Sequence, residues 1–245
     1  MTTGLLLLHG SSGVPHLARA AVFEAIGVDV IAPKWFGPDG IREIPLESFA
    51  VHLDALARRT DRIAVMGTSR GAEAALLLGT IDPRIDVVIA AAPTSHVWAG
   101  LGSSEAARRS AWTREGVPLP FVPYVGGWAP ANPSYPSYTE MYAAALRVCP
   151  HADAAAIPVE RFAGELILIA GGDDHVWPAA DFARNIVVRR EGTQSLVGTD
   201  AGHRVILPGE EPSGLGANLD RGGAPEADRA LGNKAWPVIR AALRV

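Results

Sequence analysis

One pentapeptide of this sequence, Gly67-Thr68-Ser69-Arg70-Gly71, has the residue types and spacing of a nucleophilic serine on a tight turn. It follows an apolar run, residues 63–66, and it precedes a helical stretch. The glycines avoid collisions between side chains on either side of the serine, and the helix N-terminus offers N–H groups to a developing oxyanion. The competing interpretation is a serine N-cap with incidental glycines.

A serine nucleophile needs a base, and the base needs an acid that orients it. In a strand–turn–helix setting of this kind, the acid and then the histidine follow the serine at the ends of later strands. His203 comes after the last apolar run, next to Gly202, and we predict that it is the base. Asp173 and Asp174 both follow an earlier run. We favour Asp174 because Pro178 lies four residues later, and Asp173 would cap the turn.

The oxyanion would need two backbone donors, and one of them is the N–H of Arg70 directly after the serine. The other would come from the loop after the first apolar run, where His9-Gly10-Ser11-Ser12-Gly13 is flanked by glycines. We predict Ser11 or Ser12 as this donor. An ordinary strand-to-helix loop with a serine cap remains the alternative.

The elements that must position these residues alternate along the chain. Apolar runs that predict strands cover residues 5–8, 28–32, 63–66, 87–92, 166–170 and 194–197. Helical periodicity covers residues 17–26, 46–59, 72–78, 179–188 and 226–243. The first five runs are almost continuously apolar, as in strands buried on both faces. We therefore predict an α/β-hydrolase fold with a mostly parallel sheet of about six strands and helices on both faces.

We expect a single domain, residues 1–245, with an inserted cap or lid at residues 94–165. This insertion is rich in proline, glycine and aromatic residues, and an interval that long between strands is unusual. We predict that it covers the active site and that the substrate contacts His9, Trp98, Trp112, Trp128 and Trp177. The alternative is a surface excursion packed by its own aromatic side chains. Residues 208–223 are predicted to be a long irregular loop.

Composition excludes several classes of protein. The 245 residues are 48% hydrophobic and 20% charged, as in an ordinary globular domain, and the net charge of −4 gives no footprint for nucleic acid or for a membrane surface. The single cysteine, Cys149, and an N-terminus without a signal-peptide pattern predict a cytoplasmic location. No metal-ligand spacing occurs in the sequence, so neither a metal nor a cofactor is expected.

The catalytic motifs resemble those of the catalytic C-terminal domain in the acyl-CoA thioesterase and bile-acid-CoA:amino acid N-acyltransferase family. The resemblance is carried by residues 67–73, 95–97, 118–123, 157–160, 173–177, 201–203 and 233–236. It implies an α/β-hydrolase fold, a triad of Ser69, Asp174 and His203, and acyl thioester chemistry. The first predicted strand starts at residue 5, so we expect no room for the N-terminal β-sandwich of longer members.

The function expected from these features is hydrolysis of a small-molecule acyl thioester or ester through an acyl-enzyme. The family uses serine or cysteine as nucleophile, and Ser69 favours hydrolysis over transfer. One alternative is transfer of the acyl group to an amine or alcohol, and another is a non-catalytic ligand-binding protein. Phosphates of coenzyme A could meet arginines, but clustered arginines usually form a solvated face; those considered are Arg70, Arg108, Arg109 and Arg114.

Overall fold

A computed structural model describes residues 1–211 and 218–245. The strands within these residues are β1 (Thr3–Leu8), β2 (Asp29–Ile31), β3 (Ile44–Pro45), β4 (Arg62–Thr68), β5 (Ile85–Ala91), β6 (Trp112–Arg114), β7 (Val117–Pro118), β8 (Glu165–Gly171) and β9 (Gln194–Gly198). The helices are α1 (Leu17–Glu24), α2 (Ala50–Ala57), α3 (Arg70–Ile81), α4 (Thr139–Val148), α5 (Ala179–Arg189) and α6 (Pro225–Leu243). Residues 212–217, in the predicted loop 208–223, lie outside the described residues.

The main sheet has six strands in the order β2-β1-β4-β5-β8-β9, and every neighbouring pair is parallel. The parallel six-stranded sheet predicted from the apolar runs is therefore confirmed. Parallel pairing brings the carboxyl ends of all six strands to one edge of the sheet. The segments after β1, β4, β8 and β9 carry the predicted oxyanion loop, serine, acid and base, so the topology gathers them at that edge.

Helices cover both faces of this sheet, as predicted. On one face, α1 and α6 pack in a core that includes Phe23, Met66 and Leu231. On the other face, α2, α3 and α5 pack in a core that includes Leu53, Val65 and Phe182. Alternate residues of β4 thus enter different cores, because side chains of a strand point to opposite faces. No helix in the described parts of the chain has the length and apolarity needed to span a membrane.

The segment between β5 and β8 has more regular structure than the sequence predicted. It contains α4, and its strands β6 and β7 join β3 in a small separate sheet. These strands are two or three residues long, so no periodicity could reveal them. In α4, only Met141, Tyr142 and Ala145 are buried. Three apolar positions in a proline-rich part of the sequence are too few to predict a helix. The assignment of residues 94–165 as a cap remains a prediction.

Buried charges tie this segment to α3. Glu73 is fully buried, and its Oε1 accepts hydrogen bonds from the backbone N–H of Trp98 and from Nε1 of Trp112, both at 2.9 Å. Its Oε2 is paired with Arg70, whose guanidinium also donates to the carbonyl of Ala99. Burial raises the pKa of Glu73, and the attraction to Arg70 opposes that shift. The pair therefore anchors the segment between β5 and β8 to the first turn of α3, which directly follows Ser69.

Replacing Glu73 by glutamine should destabilise the fold. Glu73→Gln leaves the guanidinium of Arg70 buried without an opposite charge, and we expect the free energy of unfolding to fall by about 3–5 kcal/mol. Urea unfolding measures this change. The control is Glu43→Gln, which removes one of the two carboxylate partners of Arg109 at the surface and should cost at most about 1 kcal/mol. Equal losses in the two variants would contradict a structural role for the buried pair.

Candidate active site

Ser69 occupies a strained turn between β4 and α3. Its backbone has φ 57° and ψ −119°, a conformation that non-glycine residues rarely adopt and that costs on the order of 1–3 kcal/mol. The N–H of Ser69 donates to the carbonyl of Ala91 at 2.9 Å, which holds the turn against the end of β5. Such strain persists only where the surrounding structure enforces it, and strained turns of this kind cluster at active sites.

The neighbouring glycines are required because three backbone segments meet at this turn. A Cβ atom on Gly67 would overlap the carbonyl of Gly71, and a Cβ atom on Gly71 would lie 2.5 Å from the carbonyl oxygens of Leu8 and His9. Real Cβ atoms do not approach backbone so closely. The prediction that crowding explains the glycines beside Ser69 is therefore confirmed by the geometry.

Asp174 and His203 form a buried pair at the carboxyl edge of the sheet. Asp174 Oδ2 lies 2.7 Å from Nδ1 of His203, and their side chains are 1% and 10% exposed. Asp174 Oδ1 accepts the backbone N–H groups of Val176 at 2.8 Å and Trp177 at 3.2 Å. The carboxylate is therefore held in one orientation, and it directs Nε2 of the imidazole away from itself.

Asp173 takes a different place from its neighbour. Its carboxylate contacts His175 Nε2 at 3.0 Å and accepts the N–H of Gly223 at 2.9 Å. Nδ1 of His175 lies 2.8 Å from Asp220. We call Asp173, His175 and Asp220 the rim cluster, because they join the loop after β8 to the segment before α6. Of the two adjacent acids, the structure brings only Asp174 to the imidazole of His203.

Ser69 and His203 line the same cavity, whose volume is about 650 Å³. The N–H of His203 donates to the carbonyl of Arg221 at 2.8 Å, and its ring packs edge-on against Trp177 at 5.8 Å between ring centroids. The described residues include no hydrogen bond between Ser69 and His203, and contacts of this kind often tighten only when substrate binds. The cavity is lined by Gly10, Ser11, Ser12, Val14, Pro15, His16, Leu17, Ala18, Arg19, Thr68, Ser69, Val176, His203, Arg204, Glu210, Glu211, Leu219 and Arg221.

The predicted oxyanion loop lies against the serine turn. A Cβ atom on Gly10 would lie 3.2 Å from the carbonyl oxygen of Thr68 and 3.4 Å from Cβ of Ser69, so a larger residue there would require a small shift of the neighbouring backbone. Ser11 and Ser12 follow on the cavity wall. The backbone of Arg70 begins α3 directly after the serine, while its side chain is buried in the opposite direction against Glu73. The loop and the N-terminus of α3 therefore flank Ser69.

The five predicted substrate contacts do not line this cavity. His9 is fully buried, with its ring stacked on Trp35 at 5.2 Å between ring centroids. The indoles of Trp98 and Trp112 lie in the core, where they donate hydrogen bonds to Thr94 and Glu73 respectively. The ring of Trp177 packs against the ring of His203, and the ring of Trp128 packs against that of Tyr138. No cavity residue comes from the segment 94–165. Three aromatic residues of that segment, Trp98, Trp112 and Tyr142, are buried in the core on the α3 side instead.

The arginines considered for phosphate binding are likewise elsewhere. Arg70 is buried and paired with Glu73, Arg109 pairs with Glu43 and Glu105, and Arg114 pairs with Glu115. The cavity carries three other arginines, Arg19, Arg204 and Arg221, that sequence reasoning missed. Adjacency to His203 was a signal for Arg204. No local pattern marked Arg19 or Arg221, which reach the site from distant segments.

His16 is another cavity residue that the sequence did not mark. Burial lowers its pKa to about 3, with smaller contributions from the positive charge of Arg19 and from His9. The ring is therefore neutral near pH 7. Its Nε2 atom is buried and has no hydrogen-bond partner among the described residues. His16 stands at the start of α1, three residues before Arg19.

The parallel sheet, the strained serine and the Asp174–His203 pair are features of an α/β-hydrolase. The family described as "BAAT / Acyl-CoA thioester hydrolase C terminal" matches residues 52–210, which is more than half of the chain. The chain belongs to this family, as the resemblance implied. It is an enzyme of the ester and thioester hydrolase type. A comparison with curated protein sequences found no match.

Several solved structures are similar to this chain in fold. AbyA5 is 15% identical with a TM-score of 0.51, and the alignment covers 100% of this chain and 67% of that chain. A variant of PytH is 14% identical with a TM-score of 0.50, over 99% of this chain and 98% of that chain. A pyrethroid hydrolase from Sphingobium faniae JZ-2 is 17% identical with a TM-score of 0.48, over 80% of this chain and 88% of that chain. At these identities, the first two structures establish the fold alone.

The rim cluster should make stability depend on pH. The hydrogen bond to Asp220 is the main cause that raises the pKa of His175, helped by the charges of Asp220 and Asp173 and opposed by partial burial. Since the folded pKa lies above the unfolded value of 6.5, the cluster stabilises the fold below about pH 6.5 and loses this effect as pH rises through the folded pKa. His175→Gln should therefore lower Tm more at about pH 6 than at about pH 9. Thermal unfolding measures this, and a pH-independent difference would contradict it.

Proposed function

We propose that the protein hydrolyses acyl thioesters, of the acyl-CoA type, through a triad of Ser69, Asp174 and His203. The observation that carries this proposal is the 2.7 Å contact between Asp174 and His203 beside a cavity that also receives the strained Ser69. Membership of the acyl-CoA thioester hydrolase family supports the thioester bond as the target. The residue types and their order along the chain match the roles of nucleophile, acid and base.

In the first half of the reaction, His203 Nε2 takes the proton of the Ser69 hydroxyl while Oγ attacks the carbonyl carbon of the thioester. The negative charge that develops on the carbonyl oxygen is held by the N–H of Arg70 and by an N–H of Ser11 or Ser12. Asp174 stabilises the imidazolium and keeps its ring oriented. The C–S bond then breaks, the leaving thiolate takes the proton from His203, and the acyl group stays on Ser69.

In the second half, water attacks the acyl-enzyme with His203 as the base. The tetrahedral intermediate uses the same two backbone donors, and the proton on His203 returns to Ser69 Oγ as the acid is released. The net reaction consumes one water and gives a carboxylic acid and a thiol. If an amine or alcohol attacked the acyl-enzyme in place of water, the acyl group would be transferred to it and the product would be an amide or an ester.

Charge on the cavity wall supports an anionic leaving group. The leaving group must approach His203, since it receives the proton from that residue. Arg204 follows His203 in the chain, and the backbone carbonyl of Arg221 accepts the N–H of His203. Both arginines also line the cavity, which supports a role for them beside the leaving group. Burial is the main cause that lowers the pKa of Arg221, and the nearby positive charge of Arg204 adds to it. Bound phosphates would relieve that repulsion.

The adjacent acids allow a matched test of the triad. Ser69→Ala should abolish hydrolysis of acyl-CoA and labelling by a fluorophosphonate probe. Asp174→Asn should lower kcat by roughly 10⁴-fold, because the imidazole loses the group that orients it and stabilises its charge. Asp173→Asn, which changes the neighbouring acid at the rim, should leave kcat close to that of the wild type. Steady-state kinetics and probe labelling measure these effects. Full activity of Ser69→Ala would overturn the proposal.

The leaving group is tested by comparing an acyl-CoA with the N-acetylcysteamine thioester of the same acid. Arg204→Ala should raise KM for acyl-CoA about tenfold through loss of a charge-assisted contact, and it should leave KM for the truncated thioester unchanged. Arg108→Ala is the control, because Arg108 is exposed and does not line the cavity. An equal effect of Arg204→Ala on both substrates would exclude a phosphate contact.

Mass spectrometry of the products with an amine present distinguishes free acid, the product of hydrolysis, from amide, the product of acyl transfer.

A further inference from the structure

Arg19, on α1, joins the serine turn to the loop that follows His203. Its side chain is 4% exposed, although it comes from a helix at the cavity wall. Its guanidinium donates to Oγ1 of Thr68 at 3.0 Å and to the carbonyl of Val205 at 2.5 Å. Thr68 directly precedes the nucleophile, and Val205 is two residues after the base. The side chain of Arg19 therefore bonds to the chain segment of the nucleophile and to the chain segment of the base. Proton transfer between Ser69 and His203 depends on the distance between these two segments.

Glu210 completes this arrangement from the far end of the loop. Each oxygen of its carboxylate accepts the Nε–H of Arg19 at 3.1 Å, and Oε2 also accepts an N–H of Nη2 at 2.9 Å. Oε2 also accepts the N–H of Leu207 at 3.1 Å. The loop between residues 203 and 210 is thereby closed on itself and bonded to α1. We call Arg19 and Glu210 the brace pair.

We propose that the brace pair positions His203 for proton transfer with Ser69, a role that rests on the function proposed above. Asp174 orients the imidazole ring, but it belongs to the loop after β8, and its carboxylate bonds to His203, Val176 and Trp177 rather than to the serine turn. The brace pair instead relates the loop of His203 to the residue before Ser69. A displacement of about 1 Å between reacting groups can lower a rate by roughly 10²-fold, so a connection of this kind has a kinetic consequence.

The chemistry of the pair suits positioning better than stabilisation. The free-energy cost of removing two charges from water offsets much of their attraction. Apolar residues of similar volume often stabilise a fold to the same extent as a buried ion pair. A guanidinium, however, is planar and donates in fixed directions, so it specifies the relative placement of its acceptors. Arg19 meets three acceptors from two segments, and a lysine at the same position would offer a point charge without that geometry.

A second arginine–glutamate pair, in which the arginine is buried and the carboxylate is 46% exposed, gives a control of the same residue types. Arg62 begins β4 and Glu165 begins β8, so both lie at the amino ends of the strands, opposite the cavity. Arg62 is 10% exposed, pairs with Glu165 and also donates to the carbonyl of Ala242 at 3.2 Å. This pair has the residue types of the brace pair and also bonds to a backbone carbonyl, but it does not reach the catalytic residues. Its carboxylate is more exposed than that of Glu210, and Arg62 also lies 3.8 Å from Asp86.

The test compares Glu210→Gln with Glu165→Gln in the full chain. Tm, kcat and KM are measured with a short acyl N-acetylcysteamine thioester, together with the rate at which a fluorophosphonate labels Ser69. We expect both variants to lower Tm. Glu210→Gln should also lower kcat per labelled site and the labelling rate by about 10- to 100-fold, with KM nearly unchanged. Glu165→Gln should keep kcat per labelled site and the labelling rate at wild-type values.

Arg19→Lys is the second variant, and it decides the matter if Glu210→Gln fails to fold. It keeps the charge opposite Glu210 but loses the fork that also bonds to Thr68 and Val205. We expect Tm to be largely retained while kcat and the labelling rate fall. If either folded variant of the brace pair labels and turns over at the wild-type rate, the positioning role is overturned while the triad stands. If the wild-type Ser69 is not labelled at all, both proposals are overturned.

Discussion

The close approach of three backbone segments at Ser69 is the constraint on which the rest of the structure depends. A Cβ atom on Gly67 would collide with the start of α3, and a Cβ atom on Gly71 would collide with the backbone at the end of β1. The same packing holds Ser69 at a positive φ and brings Gly10 against it. A parallel sheet with continuous apolar strands supplies the rigidity that this strain requires.

Buried arginine–glutamate pairs connect the rest of the molecule to that turn. Arg70 and Glu73 hold the segment between β5 and β8 against α3, and Arg19 and Glu210 hold the loop of His203 against the residue before the serine. Each pair satisfies several backbone groups besides its own charges. Such pairs tolerate little displacement, because an unpaired buried charge is costly. They specify where loops lie, which the apolar core alone leaves less defined.

The division between core and cavity also explains the distribution of aromatic residues. Trp98 and Trp112 fill the space above α3, where their N–H groups find buried acceptors. The cavity wall combines charged residues, among them Arg204, Arg221 and Glu210, with apolar residues such as Val14 and Leu17. These wall residues are the basis for our proposal of a substrate with an apolar acyl group and an anionic leaving group.

The sequence by itself determined the sheet, the serine turn and the candidates for acid and base, because each depends on a pattern of near neighbours along the chain. Continuous apolar runs mark buried strands, and glycines beside Ser69 mark the turn. Which acid meets His203, and that Trp98 and Trp112 are core residues, depended on contacts that only the tertiary structure decided. Glu73 meets Trp112 across 39 positions, and Arg19 meets Glu210 across 191. Such pairs leave no local periodicity, since the folded sheet alone brings their segments together.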